Sequence, residues 1–286
     1  MSASSRRERV RQLLHANQCA HPGSVYDPMS ARIAHHLCFE TGMFAGSTAS
    51  LTVLGAPDII ILTLSEFAEQ CQRICRASDL PLLVDADHGY GNAMNVQRTV
   101  QELETAGVAA MTIEDTVLPQ TYGKSGPPML SIDEGVGKMK AALSGRTDPT
   151  LVIAGRTSAA TLSSIDDAIE RCQAYEATGV DLLMLVGITE RADLERLSAA
   201  TTLPLMLGSA SGPLSDRDYL ASQRVRVALQ GHQPIRAGVQ AVHDTLKALR
   251  DGTRPGDLVG VAGADVMDVA TDAERYKAEQ AEFLNI

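Results

Sequence analysis

From about residue 20 to about residue 250, short uninterrupted apolar runs alternate with longer stretches in which apolar residues recur every third or fourth position. A run of four to six apolar residues without polar alternation suits a strand buried on both faces, and a three-to-four spacing suits a helix with one buried side. The strongest strand candidates are PLLVDAD (81–87), AAMTIED (109–115), LVIAGRT (151–157), LLMLVG (182–187), LPLMLGS (203–209) and RVRVALQ (224–230). Two weaker ones precede them, near 23–25 and 43–45, which makes eight. The helical spacing is clearest in NVQRTVQELETAG (95–107) and SIDDAIERCQAYEATG (164–179), both of which end in Gly, as helices commonly do. TERADLERLSAAT (189–201) and the stretch from Arg236 to Arg250 fit the same description. Repeated βα units of this kind predict parallel strands covered by helices.

A doubly wound open sheet shares that rhythm, and the polar residues at the strand ends favour a closed barrel instead. The strands end in Gly46-Ser47, Asp85-Ala86-Asp87, Glu114-Asp115, Arg156-Thr157 and Gly208-Ser209, and His232 follows the last strand. In a (β/α)8 TIM-type barrel the carboxyl ends of all strands converge on one face, where such enzymes keep their sites. The expected architecture is therefore one barrel domain over 1–286, with a core of about 20–250. A C-terminal helical extension of about 265–286 follows it, in which DAERYKAEQAEFL (272–284) places Tyr276, Phe283 and Leu284 near one helical face. An apolar stripe on a terminal helix predicts a neighbouring subunit as its partner.

Composition narrows the function. A net charge of −10 excludes nucleic acid as the main partner, because phosphate binding needs clustered Lys and Arg. Any anionic substrate must then be held by a metal or a placed Arg. The five cysteines lack zinc-type spacing and read as reduced thiols, which predicts a cytoplasmic protein. No apolar leader opens the chain and no run is long enough for a membrane span, so no membrane partner is expected. The glycine-rich pieces miss the dinucleotide fingerprint, the P-loop is absent and G-x-S-x-G does not occur.

The chemistry concentrates at three neighbouring strand ends. Asp85 and Asp87, two residues apart, are expected to leave their strand on the same side, and two adjacent like charges call for a cation. Glu114 ends the next strand, and three hard oxygen donors suit Mg²⁺, or Mn²⁺, with several retained waters. Asp58 is a plausible outer-shell acid. Arg156 ends the strand after that and can fork onto a substrate carboxylate or pair with the acids, and both roles can hold together. Gly46, Ser47 and Thr48 offer small side chains and free backbone N–H groups able to cradle a carboxylate oxygen.

The ordered motifs PGSVYDPMSARIA (22–34), FAGSTAS (44–50), LVDADHGYG (83–91), TIEDTVLPQ (112–120) and IAGRTSA (153–159) resemble the isocitrate lyase and phosphoenolpyruvate mutase superfamily across most of the chain. The resemblance implies a barrel in which Mg²⁺ chelates an α-keto or α-oxyanion carboxylate. It also implies helix-swapped dimers paired into a homotetramer. By the same resemblance Asp85 would ligate the metal directly, Asp58, Asp87 and Glu114 would hold its waters, and Ser47 and Arg156 would hold the substrate.

The departures decide which reaction is expected. Family lyases that cleave by retro-aldol chemistry carry a loop of the type K-[KR]-C-G-H after the Ile-Glu-Asp strand, whereas here the segment reads TYGKSGPP (121–128) and contains no Cys. It also lacks an obvious match to the mutases' Lys and Asn. Where relatives show a Tyr-Pro or Pro-rich turn before Arg-Ala, this chain shows GHQPIRAG (231–238), which introduces His232. A site with Mg²⁺, an Arg and no acid loop can still decarboxylate a β-keto acid, and the small α-keto dicarboxylate oxaloacetate fits it. His232 and Arg156 are then the expected catalytic residues, and His232 also contacts the substrate. Hydrolysis of oxaloacetate, a dialkylmalate-type C–C cleavage, and an idle barrel that binds oxalate or pyruvate as a sensor are the alternatives.

Overall fold

A computed structural model describes all residues, 1–286. Eight parallel strands run in strict sequence order: β1 (Gly23–Ser24), β2 (Gly42–Phe44), β3 (Leu82–Asp85), β4 (Ala110–Glu114), β5 (Val152–Thr157), β6 (Leu182–Leu185), β7 (Leu205–Leu207) and β8 (Val225–Ala228). A bridge between Ala20 and Val227 ties the segment entering β1 to β8. Ala20 both donates to the Arg226 carbonyl and accepts from the Ala228 N–H there, so the sheet curls back on itself as an α/β barrel.

The helices in chain order are α1 (Ala3–His15), α2 (Pro28–His36), α3 (Gly46–Ala49), α4 (Leu64–Ala77), α5 (Ala93–Thr105), α6 (Ile132–Gly145), α7 (Ala159–Leu162), α8 (Ile165–Glu176), α9 (Arg191–Ala200), α10 (Arg217–Ser222), α11 (Gln233–Arg250), α12 (Ala264–Thr271) and α13 (Ala273–Leu284). Several starts are written locally. Asp27, Thr63 and Asn92 each accept from a backbone N–H of the first turn, the kind of cap that contributes about 1 kcal/mol.

Alternation along each strand splits the core into two layers. Phe44, Leu82, Val84, Met111, Ile113, Ile153, Leu183 and Leu205 point outward and pack under the helices. Met43, Leu83, Ala110, Val152, Ala154, Met184, Met206 and Val227 fill the interior, where Val10 and Leu14 of α1 join them. The first helix, which the sequence pattern did not single out, therefore plugs the amino-terminal mouth. Asp85, Thr112, Glu114 and Arg156 fall on the interior parity, and strand register aligns Asp85 with Thr112 and Glu114 with Arg156. Those side chains emerge together above the apolar filling, at the carboxyl mouth.

One helix does not do what its periodicity predicts. α11 follows β8 and carries the three-to-four spacing of a barrel-covering helix, yet none of its residues is buried. Val239, Val242, Leu246 and Leu249 lie exposed along it at 60, 59, 61 and 40%. Amphipathic spacing predicts a covered face, and this chain's own barrel does not cover this one. No helix is long and apolar enough to cross a membrane.

Candidate active site

Asp85 closes β3 at 9% exposure and Glu114 closes β4 at 3%. The Thr112 hydroxyl donates to Asp85 Oδ1 at 2.8 Å, and the Asp87 N–H reaches the same oxygen at 3.2 Å. Arg156 spans the pair, bonding Asp85 Oδ2 through one terminal nitrogen and Glu114 at 3.1 Å through the other. Its Nε is buried without a partner. Burial works against the charge on Arg156, but Asp85, Glu114 and Asp87 outweigh it and raise its pKa above the ordinary value.

Asp87 reaches the site by a different route from the one expected. The strand ends at Asp85, so the two carboxylates do not leave one strand on one side. Asp87 sits in the following turn at φ +48°, a left-handed conformation that swings its side chain against α3. Gly46 makes room for it, since a Cβ there would collide with the Asp87 carboxylate. The service of Gly46 in the structure is thus to admit Asp87. Thr48 is also occupied: its hydroxyl accepts from the Ala45 N–H and donates to the Ala45 carbonyl, closing the start of α3. Ser47 is half-buried beside it.

The charge balance of this mouth is lopsided. Asp58, Asp85, Asp87 and Glu114 act on one another, and Arg156 is the cation among them: four carboxylates against one guanidinium leave a formal excess of three negative charges. Burial, and then Asp85 and Glu114, push Asp87 well above the carboxylate range, with Arg156 opposing. Burial also raises Glu114, against the pull of Arg156. Asp58 stands on a more exposed segment, and partial burial of its carboxyl and then the Asp85 charge raise its pKa, with Arg156 and His232 opposing. No three acid, His or Cys side chains converge closely enough to grip one ion together. This donor set fits a hydrated divalent cation, bound directly by few protein oxygens and through its waters by the rest. It does not fit a soft metal.

His232 lies at the start of α11, half-buried at the same mouth. Its Nδ1 is 2.9 Å from the Ser24 hydroxyl, at the end of β1, which leaves Nε2 for another partner. Burial lowers its pKa against the opposing charges of Asp85 and Asp58, which favours the neutral ring. The sequence reading overlooked Ser24 and Thr112. Thr112 was legible in principle, two residues before Glu114 and therefore on its face of the strand, whereas nothing in the sequence links Ser24 to a residue 208 positions away.

The fold and site define a class: a parallel α/β barrel whose carboxyl mouth gathers hard oxygen donors around an Arg. The family model for phosphoenolpyruvate phosphomutase matches residues 10–250, and the chain belongs to that family. An oxaloacetate decarboxylase of Bradyrhizobium diazoefficiens is 60% identical over 284 residues, which cover 99% of each chain. Among solved structures, oxaloacetate acetylhydrolase in complex with the inhibitor 3,3-difluorooxalacetate superposes with a TM-score of 0.86 at 26% identity, over 99% of this chain and 98% of that one. Phosphonopyruvate hydrolase in complex with oxalate and Mg²⁺ gives 0.85 at 26% identity, over 99% of this chain and all of that one.

Proposed function

We propose that this chain is a cytoplasmic, Mg²⁺-dependent oxaloacetate decarboxylase, releasing pyruvate and CO₂. The single observation that carries the reading is the pairing of the acid-rich mouth with a neutral His232 held by Ser24, in a chain whose 121–128 segment has no acid fit for retro-aldol cleavage. The 60% identical decarboxylase supports it. A bound Mg²⁺, for which Mn²⁺ could substitute, would be ligated by Asp85, its waters held by Asp58, Asp87 and Glu114, and would supply Lewis-acid stabilisation to an enolate worth several kcal/mol.

The protein's own residues then have separable tasks. Arg156 is set between Asp85 and Glu114, and the N–H groups of its terminal nitrogens that those acids do not take can donate to the C1 carboxylate. Ser47 sits at the start of α3 between Gly46, which packs against Asp87, and Thr48, and can donate to the same carboxylate. His232 holds the distal C4 carboxylate or the keto oxygen through Nε2. Keeping C4 away from the cation matters, because binding there would stabilise the ground state and hold the bond that must break. The C3–C4 bond breaks, its electron pair passes into the C2–C3 enolate, and C3 then takes up one proton to give pyruvate.

Product analysis by ¹³C NMR tests this reading. Pyruvate and CO₂ from oxaloacetate, faster than a Mg²⁺ blank, support decarboxylation. Acetate and oxalate would instead favour hydrolysis, the second reading, which the structural neighbour that binds 3,3-difluorooxalacetate keeps in view.

We read the protein, as the family resemblance implies, as a homotetramer built from helix-swapped dimers, and the exposed stripe on α11, spaced 239, 242, 246 and 249, supports the reading. The tail supports it, with Tyr276, Phe283 and Leu284 of α13 exposed at 49, 69 and 63%. The chain is then one barrel domain whose last helices serve oligomer contacts.

A further inference from the structure

Lys138 is a buried cation that the proposed mechanism does not use. It lies on α6 at 3% exposure, on the face shared with Gly135, Met139 and Ala142, where an apolar residue would be expected. Its ammonium donates to the His88 carbonyl at 2.7 Å. Burying an ammonium is costly, and one hydrogen bond to a neutral carbonyl offsets little of that cost. Burial lowers its pKa below the ordinary lysine value, with the charges of Glu114, Glu134 and Asp115 opposing.

The carbonyl it holds belongs to the turn that carries the acids. Within residues 87–91 the backbone is left-handed at Asp87, Gly89, Tyr90 and Gly91, with φ of +48, +73, +61 and +149°. For Asp87 and Tyr90 this conformation costs about 1 kcal/mol or more each, and such turns persist only where their surroundings over-determine them. Three successive carbonyls are fixed from three elements. The Glu114 N–H of β4 holds Asp87 O at 2.9 Å, Lys138 of α6 holds His88 O, and the Thr99 hydroxyl of α5 holds Gly89 O at 3.0 Å. Lys138 is the charged member of the set.

We propose that Lys138 is a positioning residue for the divalent-cation site: by clamping the 87–91 turn from behind, it sets where Asp85 and Asp87 present their oxygens and so sets cation affinity. The inference rests on the cation reading of that mouth.

Mn²⁺ alone is the probe, its free fraction read by electron paramagnetic resonance on the full-length protein. Lys138→Met, which fills the same space without a donor, should weaken Mn²⁺ binding by about 10- to 100-fold, the range for groups that orient metal ligands from outside. Tyr175→Phe serves as a stability control, because it removes a buried hydroxyl donated to Asp115 at 2.6 Å, a pair that makes no hydrogen bond to the 87–91 turn. It should lower Tm yet leave Mn²⁺ affinity within twofold of wild type. Wild-type affinity in a folded Lys138→Met protein would overturn the proposal, as would equal weakening in Tyr175→Phe. If the methionine variant does not fold, Lys138→Gln, with a shorter donor, gives the same reading: weakened binding supports the proposal and unchanged binding overturns it. Failure of the cation reading itself is recognised separately, by a wild type that binds no Mn²⁺ or binds it no better than Asp85→Ala.

Discussion

The two mouths of the barrel treat the same side chain in opposite ways. At the amino end, α1 lies across the strands and Arg7 reaches Asp148 at 2.7 Å, the Val108 carbonyl at 3.0 Å and the Glu104 carbonyl at 2.7 Å. Burial alone would raise Asp148, but the Thr150 hydroxyl and N–H, Arg7 and Ser4 together hold it well below the carboxylate range. At the carboxyl end Asp87 is pushed well above that range by burial and by Asp85 and Glu114. One mouth satisfies its charges and is plugged. The other leaves an excess of negative charge beneath an orphaned guanidinium Nε, and such unrelieved electrostatics mark a site that expects a ligand rather than one built for stability.

The comparison breaks most visibly at Asp85. Asp85→Ala should lower kcat/KM for oxaloacetate by about 1000-fold or more while Tm stays level or rises, because the variant relieves like-charge repulsion at the cost of the cation. A large drop in Tm with activity retained would assign Asp85 to structure instead. Next comes His232. His232→Gln should lower kcat/KM by about 10- to 1000-fold with Mn²⁺ affinity nearly constant. Ser24→Ala should follow in the same direction but less, about 10-fold, with Ser24→Thr restoring most of it. Wild-type kinetics in both His232→Gln and Ser24→Ala would leave the reaction to the cation and Arg156 alone.

Smaller effects are expected from assembly and from the amino mouth. Leu246→Lys, in the centre of the α11 stripe, should shift the protein toward smaller species in light scattering; a wild type that is already monomeric at micromolar concentration would reject the assembly reading. Asp148→Asn should lower Tm at pH 7 by about 3 °C, on the order of 1 kcal/mol, without changing kcat. The sign with pH follows from the lowered pKa. The ion pair's contribution is complete above the unfolded value of about 3.9 and is lost as pH falls toward the folded value, so the gap between wild type and variant should close in acid. A gap that widens in acid would contradict this assignment.

Much of the fold was legible because buried parallel strands must be apolar on both faces, and the six strong runs all appear as strands with frayed ends. The strand-end chemistry was legible for Asp85, Glu114 and Arg156, whose parity follows from regular β geometry. Asp87 was not, because a left-handed residue breaks the two-residue period on which the inference relied. The exposure of α11 was not, because an amphipathic pattern predicts a covered face and does not say whether the chain's own barrel covers it. Lys138 left a signal that could have been read, a charge among apolar residues on the buried face of its helix. Ser24 left none, since its partner is close only after the barrel curls.

The most direct test of the central claim is the initial rate of pyruvate formation from oxaloacetate after chelation with EDTA and stepwise return of Mg²⁺, run beside Asp85→Ala at equal Mg²⁺ to subtract metal-catalysed background. The account predicts that the enzyme-dependent rate falls to the blank on chelation and returns saturably with Mg²⁺ in the wild type alone. A wild-type rate that survives chelation unchanged, or an Asp85→Ala variant that recovers with the same Mg²⁺ dependence, would contradict it.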